Sequence, residues 1–243
     1  MRNHLIHSPV CKNRYLNDKE NLSVHSQQLS FTKIEEEVMD SILQFDHSVI
    51  FYVHEHLVYS FLTPIMAILS KITSNGALWI LIALLLMIQK KYRVLGVAII
   101  IALGFVFIIG DQGLKPNVAR LRPFVDFPNV TVPLESALPK ATSFSFPSGH
   151  SFGSFASAMT IYLGLSQIAP QKRYLGILAL VLSVVVAFSR VYLFVHYPTD
   201  VLTGLVLGII VGFIAWKLAR VGWNWWINRN NDVEYEPYTF KRK

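Results

Sequence analysis

The feature that most constrains this chain is the clumping of its apolar residues into runs long enough, or nearly so, to cross a hydrocarbon core of about 30 Å. Five runs stand out: residues 77–89 (extendable backward through Ile72), 94–110, 152–168, 174–194 and 201–218. A sixth, 57–72, is apolar but contains Pro64. Its length leaves open whether it spans or lies in the interface. Charged residues make up 15% of the 243 positions, against about a quarter in soluble domains. A soluble protein of buried helices is the alternative, and the number of runs argues against it. The expectation is an all-α, polytopic membrane bundle of five or six transmembrane helices.

The flanks divide differently. Residues 1–38 hold no apolar run and carry both signs of charge, so they are expected to form a flexible polar tail with at most a little helix near 34–37. Nothing in them reads as a cleavable signal peptide. The membrane domain is expected over 39–222, opening on an amphipathic stretch with Met39, Ile42, Leu43 and Phe45. A basic C-terminal tail is expected over 223–243. The one cysteine, Cys11, has no partner for an internal disulfide. The net charge of +7 is not a nucleic-acid footprint, because the basic residues sit at the ends of apolar runs rather than along one helix stripe.

Those basic residues also set an orientation. Lys90, Lys91 and Arg93 separate the first two runs, and Lys172 and Arg173 separate the third and fourth. Lys217, Arg220, Arg229, Lys241, Arg242 and Lys243 lie at or beyond the end of the fifth. If each run crosses once, all fall on one side, which the positive-inside rule makes cytoplasmic. Trp223, Trp225 and Trp226 suit an interfacial belt there. The opposite face receives a polar connection over 111–150 and a short one over 195–200. The first is too long for a turn and asks for a function. Five spans put the N-terminal tail outside the cell and six put it inside; the five-span reading is preferred.

Three polar segments meet on that outer face. In the first, Lys115 and Arg122 lie beyond an apolar run, where cations need water or an anion; the guanidinium matches phosphate oxygens and the ammonium adds a point charge. Snorkelling to lipid headgroups is the ordinary reading of such a cluster. In the second, Pro147, Ser148, Gly149 and His150 open the third run, where a helix N-terminus offers free N–H groups to an anion. A plain N-cap by Ser148 is the ordinary reading here. In the third, Arg190 ends an apolar run and His196 precedes Asp200. A carboxylate beside a histidine fixes its tautomer and makes its other nitrogen a better nucleophile. Only His196 has a carboxylate at close range in sequence, whereas His150 sits on the anion cradle, where a proton donor is useful. Each segment alone has a bland explanation. Together they place two histidines, three cations, a serine and an aspartate on one face.

The three segments resemble the motifs of the type 2 phosphatidic acid phosphatase superfamily, which also holds vanadium haloperoxidases and bacterial acid phosphatases: K-x6-R-P at Lys115 to Pro123, P-S-G-H at Pro147 to His150, and S-R-x5-H-x3-D at Ser189 to Asp200. The resemblance covers roughly residues 40–220, within the membrane lipid phosphatase branch, and implies an acid phosphatase/haloperoxidase-like helical core. It implies that His196 attacks phosphorus and forms a phosphohistidine, that Asp200 orients it, and that His150 protonates the leaving oxygen and then activates water. Lys115, Arg122, Ser148, the Gly149 amide and Arg190 would hold the phosphoryl oxygens. Neither a metal nor a cofactor is implied, the cations standing in for one. Many membrane relatives carry an extra N-terminal helix, which this chain lacks before residue 39, like shorter bacterial relatives acting on undecaprenyl diphosphate. The expected activity is hydrolysis of a lipid phosphate or diphosphate, with undecaprenyl diphosphate leading and phosphatidylglycerophosphate or phosphatidate as alternatives. The expected setting is a bacterial cell membrane with an extracytoplasmic site; the sequence leaves the oligomeric state open. A non-catalytic lipid-phosphate binding or transport protein is the competing class, and it would not need His196 paired with Asp200. A haloperoxidase would need a soluble chain.

Overall fold

The computed structural model describes residues 9–133 and 144–230, and every regular element among them is a helix. The chain divides into two compact units, Met1–His47 and Ser48–Lys243. The first unit carries the polar part of helix α1 (Pro9–His56). This helix starts well before the short one expected near residue 34. No glycine or proline occurs between positions 10 and 63, so nothing in the backbone chemistry stops a helix there, polar though it is.

The second unit is built around α7 (Gly149–Ile168), which packs on α9 (Pro198–Asn230), α8 (Arg173–Tyr192) and α4 (Arg93–Phe105). Its perimeter is small and weakly polar: Gly153, Ser154, Ala156, Ser157, Ala158 and Thr160 are all buried. The matching surface on α9 is a glycine row at every fourth residue. A Cβ at Gly204 would come within 2.9 Å of the Ser148 carbonyl, one at Gly208 within 2.7 Å of Phe155 Cβ, and one at Gly212 within 2.6 Å of the Ala156 carbonyl. Small residues let the two backbones approach where lipid offers no hydrophobic driving force for helix association. The hydroxyl of Thr160 bridges both helices, donating to the carbonyls of Ala156 (2.8 Å) and Gly212 (3.2 Å).

Three helical stretches are long and apolar enough to cross a membrane: Lys90–Asp126, Pro170–Tyr192 and Pro198–Ile227. A fourth exists if Leu62–Ile72 and Ser74–Ile88, bent by 47° at their junction, count as one. The chain is a multi-pass membrane protein. The sequence expected five or six spans. The difference lies in α7, too rich in serine and glycine to stand against lipid, and in α2 (Leu62–Ile72), whose 11 residues reach only about 16 Å at 1.5 Å per residue. Between α2 and α3 (Ala77–Ile88), Asn75 and Gly76 adopt positive φ angles of 51° and 72°. Irregular backbone at membrane depth is tolerated where it lines a cavity, and here it does.

Two further boundaries differ from expectation. The run expected to end at Gly110 continues as a π-helical stretch, Val106–Leu114, and then as α5 (Lys115–Val118). Asp111 and Lys115 therefore stand on helix rather than in a loop, and Pro116 falls in the first turn of α5. The short α6 (Pro123–Asp126) follows. At the other end α9 continues past Leu218 to Asn230 and includes the three tryptophans. Residues 134–143 of the expected outer loop, and the last 13 of the expected basic tail, lie outside the described residues.

Candidate active site

A cavity of about 530 Å³ opens among the π-helical stretch, the N-terminus of α7, the end of α8 and the α2–α3 break. Six of the eight residues singled out from sequence line it: Lys115, Arg122, Gly149, His150, Arg190 and His196. The other two, Ser148 and Asp200, are fully buried behind that lining.

Lys115 enters from the helical extension of α4, paired with Asp111 one turn earlier (Nζ to Oδ1 2.5 Å). A Cβ at Gly149 would stand 3.6 Å from Lys115 Nζ, so the absence of a side chain keeps this corner open to a ligand. Ser148 caps α7, accepting weakly from the Ser151 amide at 3.5 Å, while its own N–H donates to the Asp200 carbonyl at 3.1 Å. The second bond ties the start of α7 to the start of α9.

Arg122 and His196 form the centre of the site. Arg122 donates through one terminal nitrogen to the Val195 carbonyl and to His196 Nε2, both at 3.0 Å, and through the other to the Phe144 carbonyl at 3.3 Å. A guanidinium only donates, so Nε2 must be the unprotonated nitrogen. His196 is 2% exposed. Burial first, and then the charges of Arg122, Arg190 and Lys115, push its pKa well below the ordinary 6.5. The ring is therefore neutral, with its lone pair on the nitrogen beside the cavity's cations.

Asp200 is 0% exposed yet fully partnered. Its Oδ1 accepts from Arg120 at 2.8 Å; its Oδ2 accepts from the Ser145 hydroxyl at 2.5 Å and the Tyr197 amide at 2.9 Å. The Arg120 guanidinium lies 4.0 Å above the Tyr197 ring, and the Tyr197 hydroxyl donates to Asp126 at 2.5 Å. Burial, then that hydrogen bond, raises the phenol's pKa, which keeps the hydroxyl a donor.

His150 and Arg190 share a partner that the sequence did not reveal. His150 Nε2 donates to the Ser70 carbonyl at 3.1 Å, and Arg190 donates to the Ser70 hydroxyl. Ser70 sits in the last turn of α2, where carbonyls lack helical partners. Among the described residues Arg190 Nε is buried without a hydrogen-bond partner, a donor available to an anion at the cavity wall. Sequence reasoning thus missed Ser70, Asp111, Arg120 and Ser145. Arg120 carried a signal, being a third cation in the Lys115–Arg122 segment. Ser145, a serine between two phenylalanines just before Pro147, carried a faint one. Ser70 carried none, since its partners are 80 and 120 positions away.

Comparison with known proteins converges on one group. The sequence pattern of the PAP2 superfamily matches residues 91–223. The chain is 34% identical over 161 residues to an undecaprenyl-diphosphatase of Sulfolobus acidocaldarius, covering 66% of this chain and 72% of that one. It is 38% identical over 109 residues to phosphatidylglycerophosphatase B of Bacillus subtilis, covering 43% of this chain and about half, 49%, of the relative. Among solved structures, a transmembrane PAP2-type phosphatidylglycerolphosphate phosphatase from Bacillus subtilis superposes with a TM-score of 0.59 at 27% identity, over 72% of this chain and 84% of that one. Aquifex aeolicus LpxE shares the fold, with a TM-score of 0.54 at 22% identity.

Proposed function

The chain belongs to the PAP2 superfamily and is one of its membrane lipid phosphatases, and from that premise we propose that it hydrolyses undecaprenyl diphosphate, or a close polyprenyl diphosphate, through a phosphohistidine on His196 and without a metal ion. The observation that carries this reading is the convergence of Lys115, Arg122, His150, Arg190 and His196, from separate segments, on one cavity.

In this reading the His196 Nε2 lone pair attacks the terminal phosphorus while the bond to the bridging oxygen breaks. A protonated His150, its Nε2–H held by the Ser70 carbonyl, gives its other ring proton to the departing lipid phosphate, and the neutral ring then takes one from the water that cleaves the N–P bond. Arg122 releases Nε2 and, with Lys115 and Arg190, takes up the phosphoryl oxygens. Fixed cations aimed at developing charge do what a metal does elsewhere. Ser148 and the Gly149 amide complete the cradle at the head of α7.

Substrate preference follows the relatives. Of the two sequence relatives, the undecaprenyl-diphosphatase match covers the larger share of both chains, which favours the polyprenyl substrate over phosphatidylglycerophosphate. We read α7 as a span sheltered by its neighbours, giving five with the bent α2–α3 pair as one. The basic loops then lie in the cytoplasm and the cavity on the outer face. Residues 39–222 make up the catalytic unit.

The deciding experiment measures phosphate release by purified protein from undecaprenyl diphosphate, phosphatidylglycerophosphate and phosphatidate side by side. The expected order puts the first ahead, with His196→Ala inactive on all three. Preference for a glycerophospholipid would replace the substrate; wild-type rates in His196→Ala would remove the mechanism.

A further inference from the structure

His196 and Asp200 do not touch. The shortest approach between Nδ1 and Oδ2 is 3.6 Å, beyond hydrogen-bonding reach. Between them stands Ser145, fully buried, its hydroxyl 3.3 Å from His196 Nδ1 and 2.5 Å from Asp200 Oδ2.

The donors and acceptors fix the direction of this chain. Arg122 donates to Nε2, so the neutral ring carries its proton on Nδ1. That N–H needs an acceptor, and Ser145 supplies two, its hydroxyl at 3.3 Å and its main-chain carbonyl. The serine hydroxyl then directs its single proton to Asp200 Oδ2, a carboxylate oxygen that can only accept. Its acceptor capacity is further set by the Tyr197 amide on the same oxygen and Arg120 on the other. Through the hydroxyl the sequence runs Nδ1–H to Ser145 to Asp200, and the serine carbonyl adds a second acceptor for the same N–H.

We propose that Ser145 is a positioning residue for the reaction, the link through which Asp200 fixes the tautomer and orientation of His196. Asp200 cannot readily take over. It is held in place by Arg120, by the Tyr197 amide and by the tie from the Ser148 N–H to its own carbonyl. The backbone of Ser145 is anchored as well, its N–H donating to the Arg120 carbonyl at 2.8 Å. Arg120 thus holds both ends of the link, one through its main chain and the other through its guanidinium.

The proposal rests on His196 being the nucleophile, and the test separates the two. Kinetics on a lipid diphosphate are compared for wild type, Ser145→Ala, Asp200→Asn, the double variant and His196→Ala. Ser145→Ala is expected to lower kcat about 100-fold while KM moves less than about threefold. Because both residues act on the same ring nitrogen, the double variant is expected to be no slower than Asp200→Asn alone. A wild-type kcat in Ser145→Ala, or fully multiplicative losses in the double variant, overturns the link. Activity in His196→Ala overturns the nucleophile assignment instead. Should Ser145→Ala fail to fold, ¹⁵N spectra of histidine-labelled wild-type protein still decide: the Nδ1–H tautomer at His196 is expected, and an Nε2–H tautomer refutes the chain.

Discussion

The proposed attack on phosphorus needs a neutral histidine, and the surroundings of His196 keep it so. Burial and the cations of Arg122, Arg190 and Lys115 all disfavour a second proton. Protonation would remove the lone pair, so activity is lost only when the pH falls through the lowered pKa. The acid limb of kcat/KM, which reports the free enzyme, is expected well below pH 6.5. Arg122→Gln takes away one of these charges and should move that limb upward, toward the ordinary histidine value, besides lowering the rate. A limb that stays fixed in Arg122→Gln would show that the Arg122 charge is not felt at His196. Arg120 belongs to the same scale. It supplies a charged partner to the buried Asp200, and Arg120→Gln leaves that carboxylate with neutral donors. Since a small misplacement of reacting groups can cost about 100-fold, kcat is expected to drop between about 10- and 100-fold with KM little changed, by the same phosphate-release assay.

At the scale of elements, the contact between α7 and α9 decides whether the site exists at all, because His150 rides on one helix and Asp200 on the other. Gly208→Val would drive a branched side chain into the Phe155 Cβ and the Phe152 carbonyl, 2.7 and 2.8 Å from the first added carbon. Overpacking of this kind costs typically about 1–3 kcal/mol. The expected result is a lower midpoint of thermal unfolding in detergent together with lower activity, whereas Gly222→Val, with open space at its Cβ, should change neither. This scale also shows what the sequence could and could not reveal. The apolar runs marked the helices well, because the demand for length and hydropathy acts residue by residue along the chain. The eight candidate residues could be picked out because their motifs are local, each within a dozen positions, and six of them line one cavity. What escaped were features set by tertiary contact: the α7 perimeter, which is small and polar because protein rather than lipid surrounds it; the π-helical extension that carries Asp111 and Lys115; and Ser70, whose place beside His150 and Arg190 depends on the α2–α3 break. The long α1 escaped for another reason, since the polarity of its first half was weighed and its freedom from glycine and proline was not.

The whole molecule divides its charge unevenly, and that division bears on where the chemistry occurs. Lys90, Lys91, Lys172 and Arg173 sit at helix joints on the end of the bundle away from the cavity, while Lys115, Arg122 and Arg190 are consumed within it. In the proposed reading, where the cations take the place of a metal, activity should survive EDTA, and vanadate should inhibit by occupying the phosphoryl position among the same cations; loss of activity to EDTA with recovery on adding magnesium would contradict it. The orientation can be tested apart from activity. The native chain has one cysteine, Cys11, so a Cys11→Ser background gives a clean start for single-cysteine probes. Val118, 47% exposed on α5, belongs to the cavity end, and Lys91 to the opposite joint. In intact cells a membrane-impermeant maleimide is expected to label Val118→Cys and to reach Lys91→Cys only after the membrane is permeabilised. Positive loops are retained on the cytoplasmic side during insertion, so the reverse labelling pattern would require the four basic residues at the joints to have crossed the bilayer. It would also move the proposed hydrolysis to the inner leaflet.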